Sequence, residues 1–316
     1  MNLDDDVDDA TVLYPICLPN FVLFEFFLNH NIFDIRNKRK LYDLIKQSKP
    51  DIIFHFAAVS IVKENFLNPM EGYTTNFNGT LNLLESLRKS KKSINIIIST
   101  TDKVYVNENS KIKYFHEDDA LGSIDTYALS KVMVEQVTKS YCLKYFVDNK
   151  IKVSIVRAGN VIGGGDWAKD RIITDIVESI SKEKDIVIRS PKSIRPWQHI
   201  IDVVNGYLKL AIYNENKVEV FNAFNFGPLE ENEIDVETLA NKFISNWSLS
   251  KSSLVLDQNE NPPESKILRL DSSKAMEVLD WKPLMDIENT IKETAIWYEN
   301  FYSGKEIYKF TIGQIN

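Results

Sequence analysis

A doubly wound parallel α/β sheet is the fold this sequence predicts, and three observations carry the prediction. Asp51-Ile52-Ile53-Phe54-His55-Phe56-Ala57-Ala58, residues 94–98 and residues 151–156 are short apolar runs. Such runs read as strands buried on both faces. Helical segments with periodic apolar residues separate them. Strand, helix, strand, helix, strand at these intervals requires right-handed crossovers, which lay helices over a parallel sheet.

In chain order, residues 1–50 are the least regular. Thr11-Val12-Leu13-Tyr14 reads as a strand and residues 41–45 as a short helix. The first apolar run follows Pro50. From about residue 69 to residue 89, Phe77, Leu81, Leu84 and Leu87 recur three or four apart and predict one apolar helical stripe. The second run ends at Ser99-Thr100-Thr101. Residues 125–147 predict a helix with Asp125 or Thr126 as its N-cap.

After Arg157 the texture changes. Gly163-Gly164-Gly165 opens an irregular region. Helices are expected near 172–180, 202–213, 236–245 and 287–301, with strands near 186–188 and 221–226. The chain thus divides into residues 1–160, a Rossmann-like dinucleotide-binding part, and residues 161–316, a smaller α+β part that binds substrate and returns some chain to the first. No glycine occurs before Gly72. A dinucleotide-binding fold opens with a strand, a glycine-rich turn and a helix. The expectation is therefore an N-terminally truncated sheet, short of about 25–30 residues of its first βα unit.

Composition narrows the function. The chain of 316 residues carries a net charge of −7, with 44% hydrophobic and 26% charged residues. That is ordinary for an enzyme, and it argues against nonspecific nucleic-acid binding, which needs clustered Lys and Arg. Cys17 and Cys142 read as free thiols in a reducing compartment. The acidic start, Met1 to Asp6, does not resemble a signal peptide. The apolar run 21–28 is interrupted by Glu25 and is far shorter than the ~20 residues of a membrane span. A cytoplasmic protein is expected. His116, His199 and Cys142 show no metal-ligand spacing, and His55 reads as a hydrogen-bonded core histidine.

The chemistry-bearing residues cluster in two places. Thr101-Asp102-Lys103 follows the carboxyl end of a predicted strand, the edge where open α/β sheets bind ligands. There Thr101 can orient a hydroxyl. Asp102 can act as an acid if its pKa is raised, and Lys103 as a base if its pKa is lowered. A helix cap followed by a solvated lysine fits these residues equally well. Tyr127 and Lys131 lie four apart on a predicted helix and share a face. A cationic Lys131 would lower the Tyr127 phenol, which could then take a proton from a sugar hydroxyl. Among thirteen tyrosines, one such pair is expected by chance. The triple glycine follows the wrong strand and lacks the spacing of a dinucleotide cradle.

Several motifs together resemble the extended short-chain dehydrogenase/reductases, and specifically the nucleotide-sugar 4,6-dehydratases that act on CDP-glucose. The general ones are Asp34-Ile35-Arg36, Phe54-His55-Phe56-Ala57-Ala58, Asn76-Phe77-Asn78-Gly79-Thr80 and Tyr127 with Lys131. The specific ones are Thr100-Thr101-Asp102-Lys103, the run from Arg157 to Trp167 with Asp170-Arg171, and Arg195-Pro196-Trp197-Gln198-His199. Trp281-Lys282-Pro283 and Ile296-Trp297-Tyr298 match the usual C-terminal pattern.

The resemblance implies NAD as a cofactor recycled within one turnover, a nucleotide sugar such as CDP-glucose as substrate, and a 4-keto-6-deoxy sugar as product. It gives catalytic roles to Thr101, Asp102, Lys103, Tyr127 and Lys131. It places Asp34, Ile35, Phe56, Ala57, Ala58, Asn76, Tyr127, Lys131 and Val161 against NAD. It places Asn160, Arg171, Arg195 and Asn225 against the substrate, the two arginines at its pyrophosphate. It also implies a homodimer paired through the helices that carry Asn76 and Tyr127. If the missing glycine turn abolishes cofactor binding, the expectation becomes an inactive homologue that binds nucleotide sugar or serves as a partner subunit.

Overall fold

The computed structural model describes residues 31–107, 113–148, 150–215, 217–229, 233–248, 252–257 and 267–315. The expected strand at Thr11–Tyr14, Cys17 and the run 21–28 lie outside the described residues. Helix α1 (Lys38–Ser48) leads to strand β1 (Ile52–His55). Helices α2 (Val62–Leu67), α3 (Pro69–Tyr73) and α4 (Gly79–Leu87) follow, with a π turn at Thr74–Asn78 joining α3 to α4. Strand β2 (Ile94–Ser99) ends in a 3-10 turn, Asp102–Val104. Helix α5 (Thr126–Tyr141) starts at the N-cap Asp125, whose carboxylate accepts from Ala128 N at 2.7 Å. It runs through a second π turn, Cys142–Phe146, to β3 (Ile151–Ala158).

The distal part continues with β4 (Asn160–Ile162), α6 (Ile172–Ser181), β5 (Ile186–Ile188), β6 (Ile194–Arg195), β7 (Trp197–His199) and α7 (Ile200–Glu215). Then come β8 (Phe221–Phe226), β9 (Ile234–Asp235), α8 (Val236–Ser245), β10 (Leu254–Leu256), α9 (Ser273–Leu279), α10 (Ile287–Tyr302) and α11 (Ile307–Ile315).

The main sheet has the order β1-β2-β3-β8, all parallel, with Ile53 opposite Ile96, Ile98 opposite Ile155 and Ile155 opposite Ala223. Side chains alternate across a strand, and β2 uses the alternation fully. Ile96 and Ile98 pack under Leu83, Leu84 and Leu87 of α4 and Val134 of α5. Ile97 points to the other face, against Val203, Tyr207 and Leu210 of α7. Helices cover both faces, as the doubly wound reading requires. Leu84 and Leu87 are fully buried, each worth about 1.5–3 kcal/mol of burial. A second core joins α6, α8 and α10 through Ile176, Phe243, Ile291 and Trp297.

Two expectations change. The strand at 52–55 was expected to be buried on both faces, yet Ile52 and Phe54 are 36% and 37% exposed. It is the edge strand of the sheet among the described residues. The stripe Phe77, Leu81, Leu84, Leu87 is also displaced. Phe77 and Leu81 are only half-buried, and the inward face holds Asn76, Thr80, Leu83, Leu84 and Leu87. The π turn inserts one residue and shifts the phase of Phe77 relative to α4. No helix among the described residues is long and apolar enough to cross a membrane.

Candidate functional site

The carboxyl ends of β1, β2 and β3 converge with the start of α5, as the parallel order dictates. Thr101 is the N-cap of the 3-10 turn: its Oγ1 accepts from Lys103 N at 3.3 Å and donates to Asp102 Oδ1 at 3.0 Å. The cap reading and the active-site reading therefore coexist at one residue. Asp102 is buried, and its Oδ2 has no hydrogen-bond partner. Burial pushes this carboxyl above the usual range, against the opposing charges of Lys103 and Arg195 and the Thr101 hydrogen bond. An acid that favours its protonated form is what a proton donor needs.

Tyr127 is buried on α5 beside the same turn, close enough for Thr101 and Asp102 to act on its phenol. Burial, then the Asp102 carboxyl, push the phenol up to about 12; Thr101 and the Arg171 charge pull it down. This corrects the expectation that Lys131 lowers the phenol. Lys131 Nζ instead donates to the Ser99 carbonyl at 3.0 Å, and burial lowers its own pKa to about 8. His55 is the neutral core histidine expected: Nε2 pairs with Thr80 Oγ1 at 2.9 Å, and burial lowers it to about 3.

Asn76, in the π turn, is 1% exposed. Its Oδ1 accepts from Val59 N at 2.8 Å, while Nδ2 donates to Val59 O at 3.1 Å and Ser130 Oγ at 2.8 Å. Its amide thus ties the loop after β1 to α5. In that loop Phe56 is 52% exposed, and Ala57 and Ala58 are half-buried. Asp34 accepts from the backbone and guanidinium of Arg36, and Ile35 packs where a Cβ on Gly79 would lie, 2.6 Å from Ile35 Cγ2.

The distal segments close over the site from the other side. Asn160 and Val161 lie on β4, paired with Trp197 and Gln198 of β7. Arg195 is buried, with Nη1 donating to Ile194 O at 3.0 Å. Arg171, the N-cap residue of α6, is partly exposed and bonds Asp166 at 2.7 Å and Ser60 Oγ at 2.8 Å, so it bridges the two halves. Asn225 is fully buried, with Nδ2 donating to Phe115 O and Asp271 O and Oδ1 accepting from Tyr105. Both N–H groups of its amide are thus bonded within the protein.

The triple glycine serves packing. A Cβ on Gly164 would lie 2.0 Å from Trp297 Cδ2, and Gly165 has φ +88°. Both positions demand glycine for close approach or a left-handed backbone. Glu135 was not singled out from the sequence and Arg157 only as the first residue of a motif; the structure places both directly behind the Thr101–Lys103 turn. The signal available was spacing, since Glu135 repeats the interval of four set by Tyr127 and Lys131.

A family model described as GDP-mannose 4,6 dehydratase matches residues 26–294. CDP-glucose 4,6-dehydratase of Salmonella typhimurium is 35% identical over 287 residues, 89% of this chain and 79% of that protein. The structure of UDP-glucose 4-epimerase from Thermotoga maritima, solved with UDP-glucose, superposes with a TM-score of 0.74 at 22% identity, over 87% of this chain and 86% of that one. That of dTDP-glucose 4,6-dehydratase from Bacillus anthracis, in complex with NAD, gives 0.73 at 22% identity, over 92% and 86%. The two structures share the fold. The family model and the 35% relative, together with the Thr101–Lys103 turn facing Tyr127, establish that this chain belongs to the GDP-mannose 4,6 dehydratase family of nucleotide-sugar enzymes, within the extended short-chain dehydrogenase/reductases.

Proposed function

We propose that this chain is an NAD-dependent 4,6-dehydratase that converts CDP-glucose to CDP-4-keto-6-deoxyglucose, feeding deoxysugar synthesis for surface polysaccharide. The observation that carries the reading is Asp102, a buried acid biased toward its protonated form, with one oxygen unpartnered, beside Thr101 and Tyr127. A simple oxidoreductase has no need of such an acid, whereas elimination of a hydroxyl does.

The described residues suit the cofactor. Lys131 is buried beside the Ser99 carbonyl at the carboxyl edge of β2, small Ala57 and Ala58 line the loop after β1, and the Asp34 carboxylate stands at the far end. Lys131 and Tyr127 would hold the nicotinamide ribose, Val161 the ring, and Asp34 with Ile35 the adenosine, while Asn76 shapes the loop of Phe56, Ala57 and Ala58. The sequence offers no glycine-rich turn for the cofactor diphosphate before Gly72. Bound NAD would supply the hydride acceptor and donor for the sugar carbons, and a positive charge that would favour the Tyr127 phenolate.

Tyr127 takes the C4 hydroxyl proton, with Thr101 bonded to the same oxygen. Lys103 removes the C5 proton once the C4 ketone has acidified it. Asp102 protonates the departing C6 hydroxyl. Arg171 and Arg195 balance the substrate diphosphate, and Asn160 contacts the sugar. A homodimer is part of this reading.

A second reading is favoured by one observation, the lack of any glycine before Gly72. In it the chain binds nucleotide sugar without turning it over. Titration of the purified protein with NAD, followed by assay of CDP-glucose for a 4-keto product, separates the two. NAD binding with product formation supports the first. Sugar-nucleotide binding with neither supports the second. Lys103→Met should abolish solvent exchange at C5, and persistent exchange would remove Lys103 as the base.

A further inference from the structure

The proposed reacting groups sit on two elements, and one buried ion pair ties those elements together. Glu135 lies on α5, one turn beyond Lys131 and two beyond Tyr127. Its carboxylate accepts from the Thr100 hydroxyl at 2.7 Å, and from Arg157 Nε at 3.0 Å and Nη2 at 2.5 Å. Arg157, on β3, donates Nη1 to the Tyr105 hydroxyl at 2.7 Å, and its guanidinium lies 4.9 Å from that ring's centroid. Thr100 and Tyr105 are the residues that bracket the turn carrying Thr101, Asp102 and Lys103. The turn is thus strapped at both ends to one pair, whose members are 3% and 2% exposed.

We propose that Glu135 and Arg157 are positioning residues, a buried clamp that fixes the Thr101–Lys103 turn against the helix face carrying Tyr127 and Lys131, without touching the sugar. The inference rests on the site assigned above. Its physical basis is direction. An apolar contact would tolerate sliding, whereas a fork-shaped guanidinium on a carboxylate permits essentially one arrangement. A displacement of about 1 Å between reacting groups can cost on the order of 100-fold in rate. Within the turn Thr101 Oγ1 donates to Asp102 Oδ1 at 3.0 Å, Lys103 N bonds Thr101 Oγ1 at 3.3 Å and Val104 N bonds Thr101 O at 3.4 Å. The external straps are shorter, and hold it more firmly than it holds itself.

Thr100→Val removes one strap at nearly constant shape and leaves the ion pair intact, Thr100→Ser restores the hydroxyl, and Tyr105→Phe removes the other strap. Two quantities are measured on the full chain: hydrogen–deuterium exchange at the amides of residues 102–104, and kcat and KM with NAD and CDP-glucose. The clamp predicts exchange at least tenfold faster in Thr100→Val and Tyr105→Phe. It predicts kcat lower by about 10–100-fold with KM within twofold, and recovery of both quantities in Thr100→Ser. Unchanged exchange overturns the clamp whatever the activity does. Faster exchange with unchanged kcat, or a loss confined to KM, overturns its positioning role. If the unmodified protein turns over no CDP-glucose, the functional reading fails on its own, and exchange in Thr100→Val against Thr100→Ser still decides the clamp.

Discussion

Asp102→Asn separates catalysis from stability by sign. The protonated carboxyl presents an O–H at Oδ2, and asparagine places an N–H donor at the same point while its oxygen still accepts from Thr101. The variant therefore mimics the protonated acid at every pH and cannot give up the proton. Loss of a general acid costs about 10²–10⁴ in kcat. Because burial raises the folded pKa above the unfolded one, the folded state binds the proton more tightly. The favourable contribution is complete below the unfolded pKa, and it is lost as pH rises through the folded pKa. Each pH unit between the folded and unfolded titrations is worth about 1.4 kcal/mol, and each kcal/mol moves the melting temperature of domains of 150–250 residues by about 2–4 °C. Thermal unfolding of both proteins from pH 4 to pH 8 should show the unmodified chain losing stability relative to Asp102→Asn as pH rises. If the unmodified chain gains instead, Lys103 and Arg195 hold Asp102 as an anion, and the acid assignment is wrong.

Tyr127→Phe should lower kcat by about 10²–10⁴ while CDP-glucose affinity, read by calorimetry, stays within twofold. Arg171→Gln removes a charge-assisted contact worth about 1.5 kcal/mol, so KM for CDP-glucose should rise about tenfold with little change in kcat. Gly164→Ala forces a Cβ to within 2.0 Å of Trp297 Cδ2, and denaturant unfolding should report a loss of about 1–3 kcal/mol.

Much of the sheet was legible because its strands advertise themselves. Residues 94–99 and 151–158 are apolar runs set between helices whose caps and stripes are local, Asp125 above all. Other elements have no local signal. Helix α2 is six residues long and is held by Asn65 Nδ2 bonds to Val59 O and Ile61 O. The β4–β7 pair is a three-residue ladder between distant segments, so no periodicity announces it. The tail after Gly304 gave no reading, yet it forms α11, tied by Trp297 Nε1 to Thr311 Oγ1 at 2.8 Å. In the candidate site, Thr101, Asp102 and Tyr127 were proposed from residue type and position, and the structure brings the three together at the end of β2. For Asn225, chain position alone does not reveal that its amide is buried and bonds Tyr105, Phe115 and Asp271. Glu135 and Arg157 were not recognised as a pair because neither the spacing of Glu135 nor the motif that Arg157 opens reveals that the fold brings them into contact.

The π turn at Thr74–Asn78 makes the segment from α3 to α4 sensitive to the loss of a residue. Each residue of an α-helix advances the face by about 100°. Excising one residue from the turn would return the backbone to regular α-helix at little local cost, yet it would swing α3 by that angle relative to α4. Asn76 would then leave Val59 and Ser130, and the loop after β1 would lose its tether to α5. A single-codon deletion here would therefore leave a well-formed helix and a sheet edge out of register with it, a defect that helical content measured by circular dichroism would not reveal.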